Sequence, residues 1–316
     1  MAAAAAAATD TASQGGVPGA DNRNLWLYAL GGGFDGSTSL NTVERCNPTT
    51  KVWETAAPML SIRHGGTAAT AAVVNGQLYA IGGYNGDEWT NRMERYNVAI
   101  NTWEPRAPMP LARVYFAAAT LRSHIYALGG VGGMRSAAVD RYDPVTDTWT
   151  SVAPMSTARV DMAVAVLDDR LYALGGWSGP GPCPSNRVER YNPDNNTWEM
   201  CAAMPTGRWY HAAAALNGHI YVVGGRVPGN GFTPTMDRYD PATNTWSSCA
   251  TMKVERYALG AAVIDGHLYA VGGLADGTCS SDVERYDPAS NSWETLPSMP
   301  TARYSHALAA VPHPDA

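Results

Sequence analysis

Leu171-Tyr172-Ala173-Leu174-Gly175-Gly176, then Val188-Glu189-Arg190-Tyr191-Asn192-Pro193, then Asn196-Thr197-Trp198, are the segments that decide the fold, because the chain writes them six times. A Gly-Gly pair stands at Gly31-Gly32, Gly82-Gly83, Gly129-Gly130, Gly175-Gly176, Gly224-Gly225 and Gly272-Gly273. A Trp follows each pair, at Trp53, Trp103, Trp149, Trp198, Trp246 and Trp293, at intervals of 50, 46, 49, 48 and 47 residues. Seven residues before each Trp stands Cys46, Tyr96, Tyr142, Tyr191, Tyr239 or Tyr286. A fixed period of this length is the mark of a repeat architecture.

Each unit parses into four strands. Strand a follows a recurrent Arg and is small and apolar, as in Thr67–Val74. The dipeptides Asn75-Gly76, Asn217-Gly218 and Asp265-Gly266 favour the type I′ turn of a two-residue hairpin. Strand b is the apolar run into Gly-Gly, such as Gln77–Ile81. Strand c reads Val-Glu-Arg-Tyr or close to it (188–191, 283–286), and strand d carries the Trp. Alternating apolar and polar residues in c and d point to half-buried strands.

The Gly-Gly pair, the spaced Tyr and Trp, the period and the Ala-Pro-Met-x-x-x-Arg connection together resemble the kelch repeat over residues 25 to 311. The wording Val-Glu-Arg-Tyr-Asp-Pro looks most like the kelch half of BTB-kelch ubiquitin-ligase substrate adaptors. The expected fold is an all-β, six-bladed kelch propeller. The first unit starts directly at strand b (25–30), and Arg303–Val311 aligns with the missing strand a. One blade is therefore expected to be built from both chain ends, which removes the open edge that would template aggregation. The division is a tail over 1–22, the propeller over 23–311 and a tail over 312–316.

Composition agrees with short strands and tight turns: 45% apolar, 16% charged, with 32 Gly and 21 Pro. The net charge is −6, Arg outnumbers Lys twenty to two, and most Arg sit at two fixed repeat positions, so there is no basic stripe for nucleic acid. No apolar stretch is long enough to span a membrane as a helix. Five widely spaced cysteines without a C-x-x-C pair argue against a disulfide framework or zinc site and for reduced thiols in the cytoplasm. No metal and no cofactor are expected, and the propeller is expected to be monomeric.

Strand alternation separates two faces. The a–b and c–d turns lie on one, in near-identical copies. On the other, the b–c loops 33–43, 84–93, 131–139, 177–188, 226–236 and 274–283 differ completely, so the repeat does not dictate them and function is expected there. In BTB-kelch adaptors the partner is held by the residue after Gly-Gly and by those after the recurrent Arg. The resemblance therefore implies a partner-binding rim of Tyr84, Trp177, Arg226, His64, Tyr115, Asp161, Trp209, Tyr210, Tyr257, Tyr304 and Ser305, with Trp89 nearby. Trp, Tyr and Arg dominate binding hot spots. With Arg226 the one Arg at these positions, a ligand with apolar or Pro-rich anchors is expected in place of an acidic peptide. About half of such aromatics are expected to be packing residues between blades.

The formal G-x-G-x-x-G match at 31–36 has no helix behind it and fails as a dinucleotide site. The recurrent Arg63, Arg113, Arg159, Arg208, Arg256 and Arg303 are expected to hydrogen-bond carbonyls between blades, and the strand-c set, Arg45 to Arg285, to pair with surface acids. His211 and His306 invite comparison with copper radical oxidases, but no cysteine stands beside a suitable rim Tyr. The leading expectation is a chain without enzymatic activity that binds a protein or peptide, as a receptor of a cullin–RING ligase through a separate adaptor or a missing BTB, BACK or F-box domain. The alternatives are a cytoskeletal kelch scaffold and a mutarotase-like enzyme acting on a sugar acid with Arg226, Asp161 and His211.

Overall fold

The computed structural model describes residues 24–34, 38–62, 70–179 and 184–314. Six four-stranded antiparallel sheets form the blades of a closed ring. Blade 1 orders Ala307–Pro312, Leu25–Leu30, Val43–Asn47 and Val52–Ala56. Blades 2 to 6 take their strands in chain order, beginning at Thr70–Val74, Ala117–Leu121, Ala163–Leu167, Ala212–Leu216 and Gly260–Ile264. The seam forms as the sequence predicts: Leu27 pairs with Ala310 and Tyr28 with Ala309. The closing strand runs one residue further than expected, to Pro312, and His313 stacks on Trp26 at 4.1 Å.

Strand a lies innermost, where six strands converge, and the crowding explains its Ala content; Ala212–Leu216 is entirely buried. Apolar clusters fill the gaps between neighbouring blades. The blade Trp ties one blade to the last. The Nε1 of Trp103, Trp149, Trp198, Trp246 and Trp293 donates at 2.9 Å to the carbonyls of Ala57, Ala107, Ala153, Ala202 and Ala250. Beside it a second link repeats. The Tyr191 hydroxyl donates to Asn196 Oδ1, which also accepts the amide of Ala153 in the preceding blade. Blade 1 has Cys46 and Lys51 at these positions and lacks that link.

The recurrent Arg bond carbonyls as expected, but within a blade and not between blades; Arg63 lies outside the described residues. Arg159 is fully buried and donates to Gly175 O and Arg187 O, at 3.1 and 3.0 Å, within its own blade. It is also paired with the buried carboxylate of Glu189 on strand c. The Arg turns back under the Gly-Gly corner of the sheet it precedes, where the corner carbonyl and the strand-c carboxylate receive it. At the seam Arg303 makes the equivalent bonds to Gly31 O, Thr42 O and Glu44, so the C-terminal segment grips the N-terminal one. Four of the strand-c Arg pair with surface acids, Arg45 with Glu54 at 2.6 Å, Arg285 with Glu294 at 2.7 Å, Arg95 with Glu104 and Arg190 with Glu199, whereas Arg141 and Arg238 stand opposite Thr150 and Ser247.

Candidate functional site

The site begins with the recurrent Arg and the two residues after it. Tyr115, Asp161, Tyr210, Ala258 and Ser305 each stand two places after that Arg and each has a left-handed backbone, φ between 52° and 60°. The conformation turns their amides along the ring. Asp161 N donates to Tyr115 O and Tyr210 N to Asp161 O, both at 3.1 Å, while Ala258 N donates to Tyr210 O and Ser305 N to Ala258 O, both at 2.8 Å. Among the described residues a belt of peptide bonds thus runs from blade 3 through blades 4, 5 and 6 to blade 1 along the throat of the loop face.

Among the described residues, the residue after the recurrent Arg meets the residue after Gly-Gly in every blade but the second. Val160 bridges Trp177, Trp209 bridges Arg226, and Tyr257 bridges Leu274. Glycine is required for this approach: a Cβ on Gly176 would lie 2.6 Å from Val160 O. The two sets of positions implied by the adaptor resemblance are therefore physical neighbours.

The site is lopsided. Over blades 3 to 5 a cavity of about 710 Å³ is lined by Tyr115, Asp161, Trp177, Trp209, Tyr210 and Arg226, together with Met134 and Arg135. Trp177 and Trp209 stand 5.8 Å apart and Trp209 and Tyr210 4.9 Å apart, ring to ring. Arg226 lies over Trp209, Phe232 and Tyr257 at 5.4, 5.5 and 5.4 Å. Arg135 lies 4.4 Å over Trp177 and donates to Gly179 O at 2.8 Å. Cation–π contacts of this kind hold both the ring and the guanidinium in place.

The remaining rim candidates lie elsewhere. Tyr257, Tyr304 and Ser305 are buried, the two Tyr in an aromatic cluster with Tyr210, Ala258 and Leu274. Tyr84 bridges Trp89 within the blade 2 loop, outside the cleft, and Trp89 is exposed. His64 lies outside the described residues. Of the sugar-acid trio, Arg226 and Asp161 share the cleft, whereas His211 is buried against Gly175 and Gly225. Arg135 and Met134 were not reachable by position in the repeat, since they stand in mid-loop; the dissimilarity of that loop was the only sequence signal for them.

Burial dominates the electrostatics. Asp161 is 3% exposed, its Oδ1 has no hydrogen-bond partner, and its carboxyl bonds the Tyr210 side chain. Loss of water pushes it well above the usual carboxylate range. The same loss, with the charge of Arg208 second, pushes His211 down to about 3. Among the described residues no group of His, Cys, Asp and Glu is placed to hold a metal ion.

Ring, seam and loop-face cleft define the class: a six-bladed propeller whose repeat builds the scaffold and whose b–c loops build one asymmetric site. The chain belongs to the kelch-repeat family. The family model described as the KLHDC2/KLHL20/DRC7 Kelch-repeats domain matches residues 17–176 and again 158–314. Such a propeller is, in general terms, a protein-interaction module. No curated protein gives a significant match. Among solved structures, one titled "Structure of YjhT" matches with a TM-score of 0.72 and 16% identity, covering 85% of this chain and 97% of that one. This match corrects one expectation. The exclusion of enzymatic activity rested on the adaptor resemblance, and the ring also occurs in a protein this distant in sequence, so the fold gives no ground for ruling catalysis out.

Proposed function

We propose that this propeller recognises a partner protein or peptide in the cleft over blades 3 to 5, with an apolar or Pro-rich segment as its anchor. The observation that carries the reading is the convergence of Tyr115, Trp177, Trp209 and Tyr210 on one open cavity of about 710 Å³. Rigid aromatic walls offer large contact area at little cost in side-chain freedom. Arg135 and Arg226 stand ready for carbonyl or carboxylate groups of the same segment. The narrower reading, a substrate receptor of a cullin–RING ligase working through a separate adaptor, draws its support from the family alone.

Affinity capture with the full chain tests the cleft. Trp177→Ala together with Trp209→Ala is expected to lower partner recovery at least thirtyfold, since one aromatic hot spot is worth about 2 kcal/mol or more. Tyr84→Ala, outside the cleft, is expected to change recovery little. Unchanged recovery in the double variant would overturn the reading. A second reading, action on a carboxylated sugar, has one observation in its favour: Arg135, Arg226 and Asp161, whose carboxyl burial pushes up, line the same aromatic cleft. Exchange of anomeric signals in NMR upon adding the protein to such a sugar tests it.

A further inference from the structure

A carboxyl group with no cationic partner at the floor of a binding cleft calls for an account, because buried acids in folded proteins are ordinarily paired. Asp161 is 3% exposed, and its Oδ1 has no hydrogen-bond partner. Its backbone is fixed from both sides, its N–H bonded to Tyr115 O and its C=O to Tyr210 N. It therefore has no slack to move out of the floor without breaking the belt along the throat. Around it stand the Tyr115 and Tyr210 side chains, with Arg226 and Arg135 on the walls of the same cleft. Arg159, two residues before it, is spent on Glu189. In blades 3, 5, 6 and 1 the same position holds Tyr115, Tyr210, Ala258 and Ser305, so the repeat has no structural need of an acid there.

We propose that Asp161 is a specificity-determining residue of the cleft, linking ligand binding to the proton on its carboxyl. The inference rests on the cleft being the binding site. With the proton on, the floor is neutral, the two guanidiniums give the cleft a positive sign, and apolar or anionic groups are accepted. With the proton off, the floor carries a negative charge that repels anions and must be solvated through the cleft, which an apolar ligand would prevent. A ligand that fills the cleft removes water from Asp161 and so strengthens its hold on the proton. By linkage, such ligands bind with proton uptake and weaken as pH rises through the titration of Asp161. A cationic ligand has the opposite dependence.

Two measurements on the full chain test this. Titration of ¹³C-labelled aspartate carboxyls by NMR, with Asp161 assigned by its absence in Asp161→Asn, is expected to show a midpoint above the usual aspartate range; a usual midpoint would overturn the proposal without touching partner recognition. Benzamide and benzoate, one neutral and one anionic, are then titrated between about pH 5 and pH 8, where neither changes charge. Both are expected to weaken by up to tenfold per pH unit above that midpoint in the native chain, and to bind Asp161→Asn with no such slope. Equal slopes in the two proteins, tighter binding at high pH, or failure of both probes to reach the cleft would each overturn the linkage. The isosteric amide keeps the belt, which matching circular dichroism verifies, and the pull-down of the aromatic variants reports on the cleft independently.

Discussion

His211 and His306 occupy the position that holds Phe116, Met162 and Leu259 in other blades, three residues after the recurrent Arg. Both are buried, His306 with neither ring nitrogen hydrogen-bonded and His211 with its ring against the Leu174 backbone, and loss of water pushes both down to about 3. They act as apolar spacers that happen to titrate. The native state leaves them neutral while the unfolded chain takes up protons below about pH 6.5, so each removes stability as pH falls, by about 1.4 kcal/mol per unit down to its native value. Urea midpoints at pH 7 and pH 5 are expected to separate the native chain from His211→Leu/His306→Leu, the variant losing less on acidification. Asp161 works in the opposite direction. Its native value is raised, so the folded state keeps a proton that the unfolded state gives up above about pH 4, and stability falls as pH rises. Asp161→Asn is expected to raise the melting temperature at pH 8 and to flatten that dependence.

At the level of the element, the Gly-Gly corner is the most constrained part of each blade. Gly176 has φ +87°, and a Cβ there would meet Val160 O at 2.6 Å and Met162 Cβ at 2.9 Å. Gly218, in an a–b turn, has φ +73° and nothing within 4 Å of the same position. The contrast separates conformational strain from collision. Gly218→Ala is expected to cost about 1 kcal/mol, the left-handed penalty alone, and Gly176→Ala on the order of 3 kcal/mol or more because backbone must also shift. Chemical unfolding of the two variants measures the difference, and equal costs would refute the steric account of the repeat. The corner also sets the site: without that approach Trp177 would not bridge Val160, and the cleft would lose one wall.

For the whole molecule, closure is the decisive event. Asn24 and His313 are bonded to each other, His313 N donating to Asn24 O at 2.8 Å, so the two ends of the ring meet. A permutant opened at Asn217-Gly218, with residues 24 and 314 joined by a short linker, is expected to fold with a melting temperature within a few degrees of the native chain. Deleting residues 303–316 is expected to abolish the cooperative transition, because it strips blade 1 of its inner strand and Glu44 of Arg303. Scanning calorimetry on the two proteins decides both.

The ring, the number of blades and the seam were legible in the sequence because they follow from local rules repeated six times: glycine where backbones collide, Asn-Gly where a hairpin must twist, a Trp and a Tyr at fixed spacing. Errors in any one copy are outvoted by the others. The partner of Arg159 was not legible, since Glu189 comes close to it only when strand c folds back beside the Gly-Gly corner. Nor was the lopsided cleft. Tyr257 and Tyr304 share their repeat position with Trp209, yet the first two are buried while Trp209 lines the cavity, and Arg135 joins from mid-loop. Repetition in sequence is a statement about backbones, which every blade shares; which side chains face one another across neighbouring loops depends on loops that share nothing, and only the closed ring brings those into contact.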